Sequence, residues 1–561
     1  MENKFYSKNS IWAVLIIVLL SGCKAKQTGP VQLEAVSSNV GNGEMLLKRS
    51  VNGKVINIGE FIYQNGIGTS IPSEITYDIP AGCQRFEAWV GFDIESAKGV
   101  ATFQVFVDGK LKFDSGLRSF NPFTRSPESN PDRPMKVTVP VTGASTLTLK
   151  VIAGESSGKL FADWGDAVFC PMDWPEFTSR KKVNGIASSP AMGWNPYNWS
   201  GSGKHQDTLK QIANALVDKG YLEAGYKYMN LDWTNTSCNN KGYPQPNKNM
   251  FPNGVKAYAD YVHQKGLKFG MYSSMAMIDR EPNKRGMWDG GYEKQWVDSF
   301  KYWGVDYLKY DFSTREGNYF MIKAIKEAGL PIYINTCAWG HEVDWNWAYF
   351  FGAQSMRSTY DVNNLWEHGN DINPVGIMDA VDQAEAMEPF IGSGFWNDLD
   401  MLVVGLHSST VARMPDGFIP ANAIEQRTQF SLYSMLAASL IIGSDIRHID
   451  KFDQETLLNK EVIAIDQDPL GVAAWRVVKL NNIEIWKRPL DNGDWAIAIL
   501  NRGSNTITID AVWEEMDLSG KFNVRDLWAH QDMGVFDSEL SLQVASHETK
   551  MLRFSLVAFN K

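Results

Sequence analysis

Near the middle of the chain, Gly304-Val305-Asp306-Tyr307-Leu308-Lys309-Tyr310-Asp311 begins at a glycine, runs through β-forming residues, and ends on a lysine and a carboxylate two positions apart. Side chains alternate faces along a strand, so Lys309 and Asp311 share a side. Opposite charges delivered together to the C-terminal end of a strand either form a buried ion pair or do chemistry. Carboxylates recur where further strands should end, at Asp232, Asp361, Asp398, Asp400 and Asp445, in the company of Arg357, Trp194, Tyr272 and Trp339. Carboxylates with a few aromatics point to glycoside hydrolysis, in which one carboxylate attacks or activates water and a protonated one serves the leaving oxygen. Asp311 is the candidate nucleophile, because Lys309 beside it favours the ionised form. Asp361 is the candidate proton donor, with Arg357 four residues before it. A gap of ~5–5.5 Å between the two carboxyl groups would mean retention, and ~6.5–9.5 Å inversion. No His/Cys set has ligand spacing and no glycine loop is built to cradle phosphate, so neither metal nor nucleotide cofactor is expected.

Such groups need a scaffold that brings strand ends together. From about residue 186 to 475, strand-like runs alternate with segments of helical periodicity such as His205–Lys219, Val255–Lys265 and Tyr292–Trp303. The candidate strands are Ala191–Trp194, Tyr226–Leu231, Leu267–Tyr272, Val305–Tyr310, Pro331–Thr336, Ala353–Arg357, Phe390–Phe395 and Leu440–Gly443. Eight parallel strands with intervening helices make a (β/α)8 TIM barrel, an α/β fold whose sites lie just past the strand C-termini. The polar residues above fall at those positions. Crowding so many ionisable groups at one rim carries a desolvation cost that a barrel without a site has no reason to bear.

On either side the pattern changes to β. Residues 34–175 are strand-like and turn-rich: Phe103–Val107 alternates up to an Asp108-Gly109 turn and resumes at Leu111 and Phe113, and Val137–Val141 and Leu147–Ile152 read as further strands. Residues 476–561 contain Ile483–Arg488, Trp495–Leu500 and Thr506–Ile509. Both regions are predicted β-sandwiches, the second antiparallel. The 561-residue chain has 44% hydrophobic and 21% charged residues, a globular balance, and a net charge of −10 without a basic cluster, which excludes nucleic acid as a natural partner. Its 20 Trp, 20 Tyr and 28 Phe suit a cleft that stacks on sugar rings, so the expected partner is an oligosaccharide or polysaccharide. At the N-terminus, Lys4 and Lys8 precede an apolar run from Ile11 to Leu20 and then Leu20-Ser-Gly-Cys23. This reads as a secretory leader (1–23) ending in a lipobox, with Cys23 lipidated and residues 24–33 a tether: an exported bacterial lipoprotein held to a membrane by its N-terminus. Cys83 and Cys170 are far enough from any ligand pattern to leave a disulfide between them open.

Two resemblances sharpen these readings. Tyr63–Ser70, Val107–Lys110, Asp114–Gly116 and Asp163–Ala167 resemble the NPCBM domain family, which implies glycan binding, with a purely structural packing domain as the alternative. Pro190–Asn195, Tyr228–Asp232, Gly266–Tyr272, Asp306–Asp311, Cys337–Gly340, Gly394–Leu402 and Ile465–Gly471 resemble, in order, glycoside hydrolase family 27, the family of α-galactosidases and α-N-acetylgalactosaminidases. The resemblance implies a retaining mechanism with Asp311 as nucleophile and Asp361 as acid/base. It also implies a sugar pocket lined by Trp194, Asp232, Tyr272, Lys309, Arg357 and Asp400, beside which Trp339 is a further candidate from its place after a strand end. Two residues depart from the pattern: Trp233 stands where a second aspartate is usual, and Ala338 where α-galactosidases carry glutamate. Buried polar contacts dominate sugar discrimination, so α-N-acetylgalactosaminide, β-L-arabinopyranoside or α-glucan stay open beside α-galactoside, as does a non-catalytic glycan-binding lipoprotein.

Overall fold

The computed structural model describes residues 35–40, 45–122, 133–171, 186–201, 204–232, 237–274, 291–368, 374–407 and 419–557. The leader with Cys23, the tether, most of the linker after Pro171, and Trp233 lie outside these residues. Strict alternation builds the N-terminal domain. Along Gly99–Val107 every second residue is buried, Phe103, Val105 and Val107 among them. Lys110–Phe120 pairs with it antiparallel across Asp108-Gly109. Both turn residues have positive φ, 46° and 75°, which matches the turn to the strand twist and which glycine adopts without steric cost.

Two sheets close over Ile75, Phe86, Val90, Phe103 and Trp164. One holds Met135–Pro140, Cys83–Phe92, Phe161–Pro171, Gly66–Ser70 and Leu46–Leu47. Cys83 and Cys170 lie on paired strands of this sheet as free thiols. The other sheet continues past the domain edge. Its strand Lys110–Phe120 contacts Trp475–Leu480 of the C-terminal domain in parallel, registered at Phe113 and Lys479, so that one eleven-stranded sheet spans both domains. The C-terminal strands Trp475–Leu480, Ile483–Pro489, Trp495–Asn501, Thr549–Leu556, Phe522–Asp526 and Gln531–Phe536 pack Trp475, Ile497, Ile499 and Phe554 around Trp513, and Ile507–Val512 pairs with Glu539–Val544.

Between these domains stand the eight parallel strands: β1 (Met192–Trp194), β2 (Tyr228–Asn230), β3 (Lys268–Ser274), β4 (Tyr307–Asp311), β5 (Tyr333–Cys337), β6 (Ser355–Arg357), β7 (Trp396–Asp398) and β8 (Leu440–Ile442). The sheet order runs from β7 down to β1 and then β8, and bridges from Asn397 to Ala438 and from Leu402 to Ile442 close the ring. Seven strands fall where the sequence places them. The seventh does not: Glu385–Phe390 is a 3-10 helix containing Pro389, and Gly392 and Phe395 form a short antiparallel bridge, so β7 begins only at Trp396. Proline and two glycines interrupt the apolar run whose composition resembles a strand. The helix Glu293–Trp303 shows how the outer layer feeds the inner one. It buries Trp296, Val297, Phe300 and Trp303, and Gly304 ends it at φ 76°, a left-handed turn that releases the chain into β4.

The barrel and the C-terminal domain meet at a buried ionic network that no stretch of sequence announces. Arg476 reaches Asp382 at 2.9 Å, Glu385 at 3.2 Å and Glu484 at 3.1 Å; Lys479 reaches Glu484 at 2.9 Å; Arg502 reaches Asp382 at 2.9 Å and Glu484 at 3.0 Å. Asp382 and Glu385 belong to the barrel, and the other four to the C-terminal domain. Three cations meet these three carboxylates, and Arg502 also pairs with the exposed Glu367 at the edge. Removing one partner of such a set strands a buried charge, which costs about 3–5 kcal/mol. Arg476→Met should therefore lower the thermal midpoint by several degrees in calorimetry, and adding Glu385→Gln should restore part of the loss. An unchanged midpoint would show that the network carries no net stability.

Candidate active site

The barrel's register assembles the site. Cα partners run Tyr272–Lys309–Asn335–Ser355–Trp396 in one row and Ser274–Asp311–Cys337–Arg357–Asp398 in the next row toward the strand C-termini. Below them, Tyr307 and Tyr333 stack at 5.1 Å with Tyr228 beside them at 5.2 and 5.8 Å, filling the barrel floor with rings. Alternation on β4 thus puts Tyr307 in the floor, Lys309 above it and Asp311 at the rim.

Lys309 Nζ lies 3.0 Å from Asp232 Oδ2 and 4.0 Å from Asp311 Oδ2. Asn195 Nδ2 donates to the same Asp232 oxygen at 2.9 Å. Burial alone would lower the Lys309 pKa, but Asp232 and Asp311 outweigh it and hold the ammonium well above its ordinary value. The closer partner of Lys309 is therefore Asp232. Burial lifts the Asp311 carboxyl above the usual carboxylate range, while Lys309 and a hydrogen bond from the Cys337 thiol pull it back down. The sequence reading foresaw the pull of Lys309 but not the larger effect of burial. The Phe312 amide donates to Asp311 Oδ1 at 2.9 Å, and the Tyr272 ring is buried against Asp311 and Asp232.

Across the ring, Arg357 Nη2 bonds Asp400 Oδ2 at 2.7 Å, Tyr360 O at 2.8 Å and Asp361 Oδ1 at 3.2 Å. Asp400 Oδ2 also accepts the Val362 amide at 2.8 Å, and burial lifts the Asp400 carboxyl to about 6 even against the pull of Arg357. Asn335 donates to Asp398 at 2.8 Å. One arginine thus holds both the Asp361 side chain and the loop that carries it.

The candidates converge, with exceptions. Asp232, Tyr272, Lys309, Asp311, Arg357, Asp361 and Asp400 form one charged ring. Trp339 stands beside it, edge-on to Phe312 with centroids 4.6 Å apart. Ala338 is a small buried residue just past β5. Trp194, at the end of β1, is fully buried and donates its indole N–H to Ser444 O at 2.8 Å. Sequence reasoning missed Cys337, because it ended β5 one residue early; the same period of two that marked Lys309 and Asp311 would have found it. It also missed Asn195, a polar residue directly after a strand end, and Phe312.

Comparison with known proteins fits this geometry. A profile described as Alpha galactosidase A matches residues 202–468, one for the NPCBM/NEW2 domain matches 29–170, and one for the Alpha galactosidase C-terminal beta sandwich domain matches 481–554. An α-galactosidase of Cyamopsis tetragonoloba is 36% identical over 378 residues, covering 66% of this chain and 86% of that one. The chain belongs to glycoside hydrolase family 27. Alpha-galactosidase A of Cellvibrio japonicus is 33% identical over 67% of this chain and 94% of its own length. The crystal structure of α-galactosidase I from Mortierella vinacea superposes with a TM-score of 0.61 at 28% identity, over 67% of this chain and 99% of that one. In this family-27 chain, the Asp311 environment has a kinetic consequence. If Asp311 acts as the nucleophile it must be ionised, so activity should fall as pH drops through its pKa. The Cys337 hydrogen bond lowers that pKa, and Cys337→Ala should therefore move the acid limb of the kcat/KM profile to higher pH. Lys309→Met should move it in the same direction, and a limb that stays put or moves down would contradict the assignment of Asp311.

Proposed function

We propose that this chain removes terminal α-D-galactosyl residues from oligo- or polysaccharides, with retention and without a cofactor. The observation that carries the reading is the pairing of two carboxyl groups across one rim. Asp311 is fixed by a main-chain N–H and flanked by Lys309, and Asp361 is held by Arg357 from the adjoining strand end. In the first step Asp311 attacks the anomeric carbon as the bond to the glycosidic oxygen breaks, and Asp361 gives that oxygen its proton. In the second, Asp361 takes a proton from water, whose oxygen displaces the Asp311 carboxylate from the same carbon. Asp232, Lys309, Arg357 and Asp400 would bind ring hydroxyls, with Tyr272 and Trp339 as walls. The Trp339 indole N–H is buried without a partner among the described residues, which suits donation to a hydroxyl.

Ala338 and Trp233 leave the choice of sugar to experiment. Among p-nitrophenyl α-galactoside, α-N-acetylgalactosaminide, β-L-arabinopyranoside and α-glucoside, the α-galactoside should turn over fastest. Preference for another member would reassign the sugar, and turnover of none would favour a glycan-binding role. The anomer first released, followed by NMR, should be the retained one. Asp361→Ala should cost about 10²–10⁴-fold in kcat/KM on a substrate whose leaving group needs a proton.

We also propose that Cys23 anchors the protein to a membrane, on the strength of the Leu-Ser-Gly-Cys motif after a short apolar run. Cys23→Ala should move the protein from the membrane to the soluble fraction, and unchanged fractionation would refute lipidation.

A further inference from the structure

The loop that carries Asp361 is held from two sides, and one of the holders is not in the barrel. Ser358–Asp361 follows β6. From within the barrel, Arg357 binds Tyr360 O and Asp361, and the Ser358 amide donates to Asp398 O at 3.2 Å. From outside, Arg133 of the N-terminal domain donates Nη2 to Ser358 O and Nη1 to Gln383 O at 3.1 Å. Gln383 lies in the last turn of the helix Ile377–Ala384, just before the 3-10 helix Glu385–Phe390.

Arg133 is built into this place. It is 4% exposed, and its guanidinium carbon sits 5.3 Å from the centroid of the Trp345 ring. Trp345 in turn stacks at 4.9 Å and 10° on Phe61 of the N-terminal domain, so an aromatic ring from each domain brackets the approach. Gly340, directly after Trp339, supplies the room: a Cβ there would lie 2.4 Å from Arg133 Nη2 and 2.9 Å from Ser358 O. The guanidinium therefore abuts the loops after both β5 and β6, which carry Trp339 and Asp361. Burying a guanidinium is costly, and apolar side chains join domains more cheaply. Two carbonyls fixed by one rigid, forked donor point to positioning.

We infer that Arg133 is a positioning residue for the acid/base, through which the N-terminal domain completes the catalytic barrel. The inference rests on the reading of Asp361 as the proton donor. A displaced proton donor harms substrates whose leaving oxygen must be protonated and spares those whose leaving group departs unaided. Misplacement by about 1 Å can cost about 10²-fold.

The test compares kcat/KM for methyl α-galactoside and α-galactosyl fluoride in the full-length chain. Arg133→Gln should lose about 10²-fold on the methyl glycoside and less than about threefold on the fluoride. Arg133→Lys keeps the charge but cannot fork to both carbonyls; it should show the same split, smaller, and it carries the test if Arg133→Gln fails to fold. Equal losses on the two substrates, or no loss, would overturn the inference, since a purely structural role lowers both together. Asp361→Ala is the control. If it lacks the split, the proton-donor reading itself has failed. If it shows the split and the Arg133 variants do not, only the positioning role is lost.

Discussion

Charge crowding at the mouth of the barrel is the constraint to which the rest of the molecule answers. Asp232, Asp311, Asp361, Asp398 and Asp400 share one rim with two cations, Lys309 and Arg357. Five carboxylates face two cations there, and the carboxyl groups of Asp311 and Asp400 are lifted above their usual range, chiefly by burial and further by neighbouring carboxylates. The excess of negative potential has a chemical direction. It favours neutral substrates rich in hydroxyl donors, and it favours the positive charge that develops on the sugar ring as the glycosidic bond breaks. An anionic sugar would meet the opposite field.

Holding that rim in place takes local strain as well as ion pairs. Phe312, Trp339 and Asp400 all have left-handed backbones, with φ of 46°, 53° and 73°. Non-glycine residues persist there only when their surroundings fix them. Phe312 and Trp339 fix one another through their rings, while Asp400 is tied by Arg357 and the Val362 amide. Each bend follows directly from a strand end or turns the chain across the rim. The aromatic floor of Tyr228, Tyr307 and Tyr333 keeps the strands beneath from yielding.

Much of this was legible in the sequence because it depends on short periods. Lys309 and Asp311 are two apart on a strand, and the helices show apolar residues three and four apart, so barrel and charged rim could be read together. What stayed hidden depends on partners distant in sequence or on exact strand ends. Cys337 belongs to the site because β5 runs one residue beyond its apolar core. β7 is displaced because Pro389, Gly392 and Gly394 break a run of suitable composition. Burial of Asp311 outweighs its neighbouring lysine, an effect that depends on the whole barrel. Arg133 bonds residues more than two hundred positions away and Arg476 reaches back about ninety to the barrel, and nothing local marks either.

The sheet shared by the outer domains has a consequence for how the molecule comes into being. Lys110–Phe120 is made before the barrel and Trp475–Leu480 after it, yet the two lie side by side in one sheet. While the ribosome is still producing the barrel, the first sheet must therefore wait with an open edge, its main-chain donors and acceptors available to any stray strand. The last domain closes that edge when it emerges. Synthesis order thus makes the C-terminal module the protector of the N-terminal one's open edge.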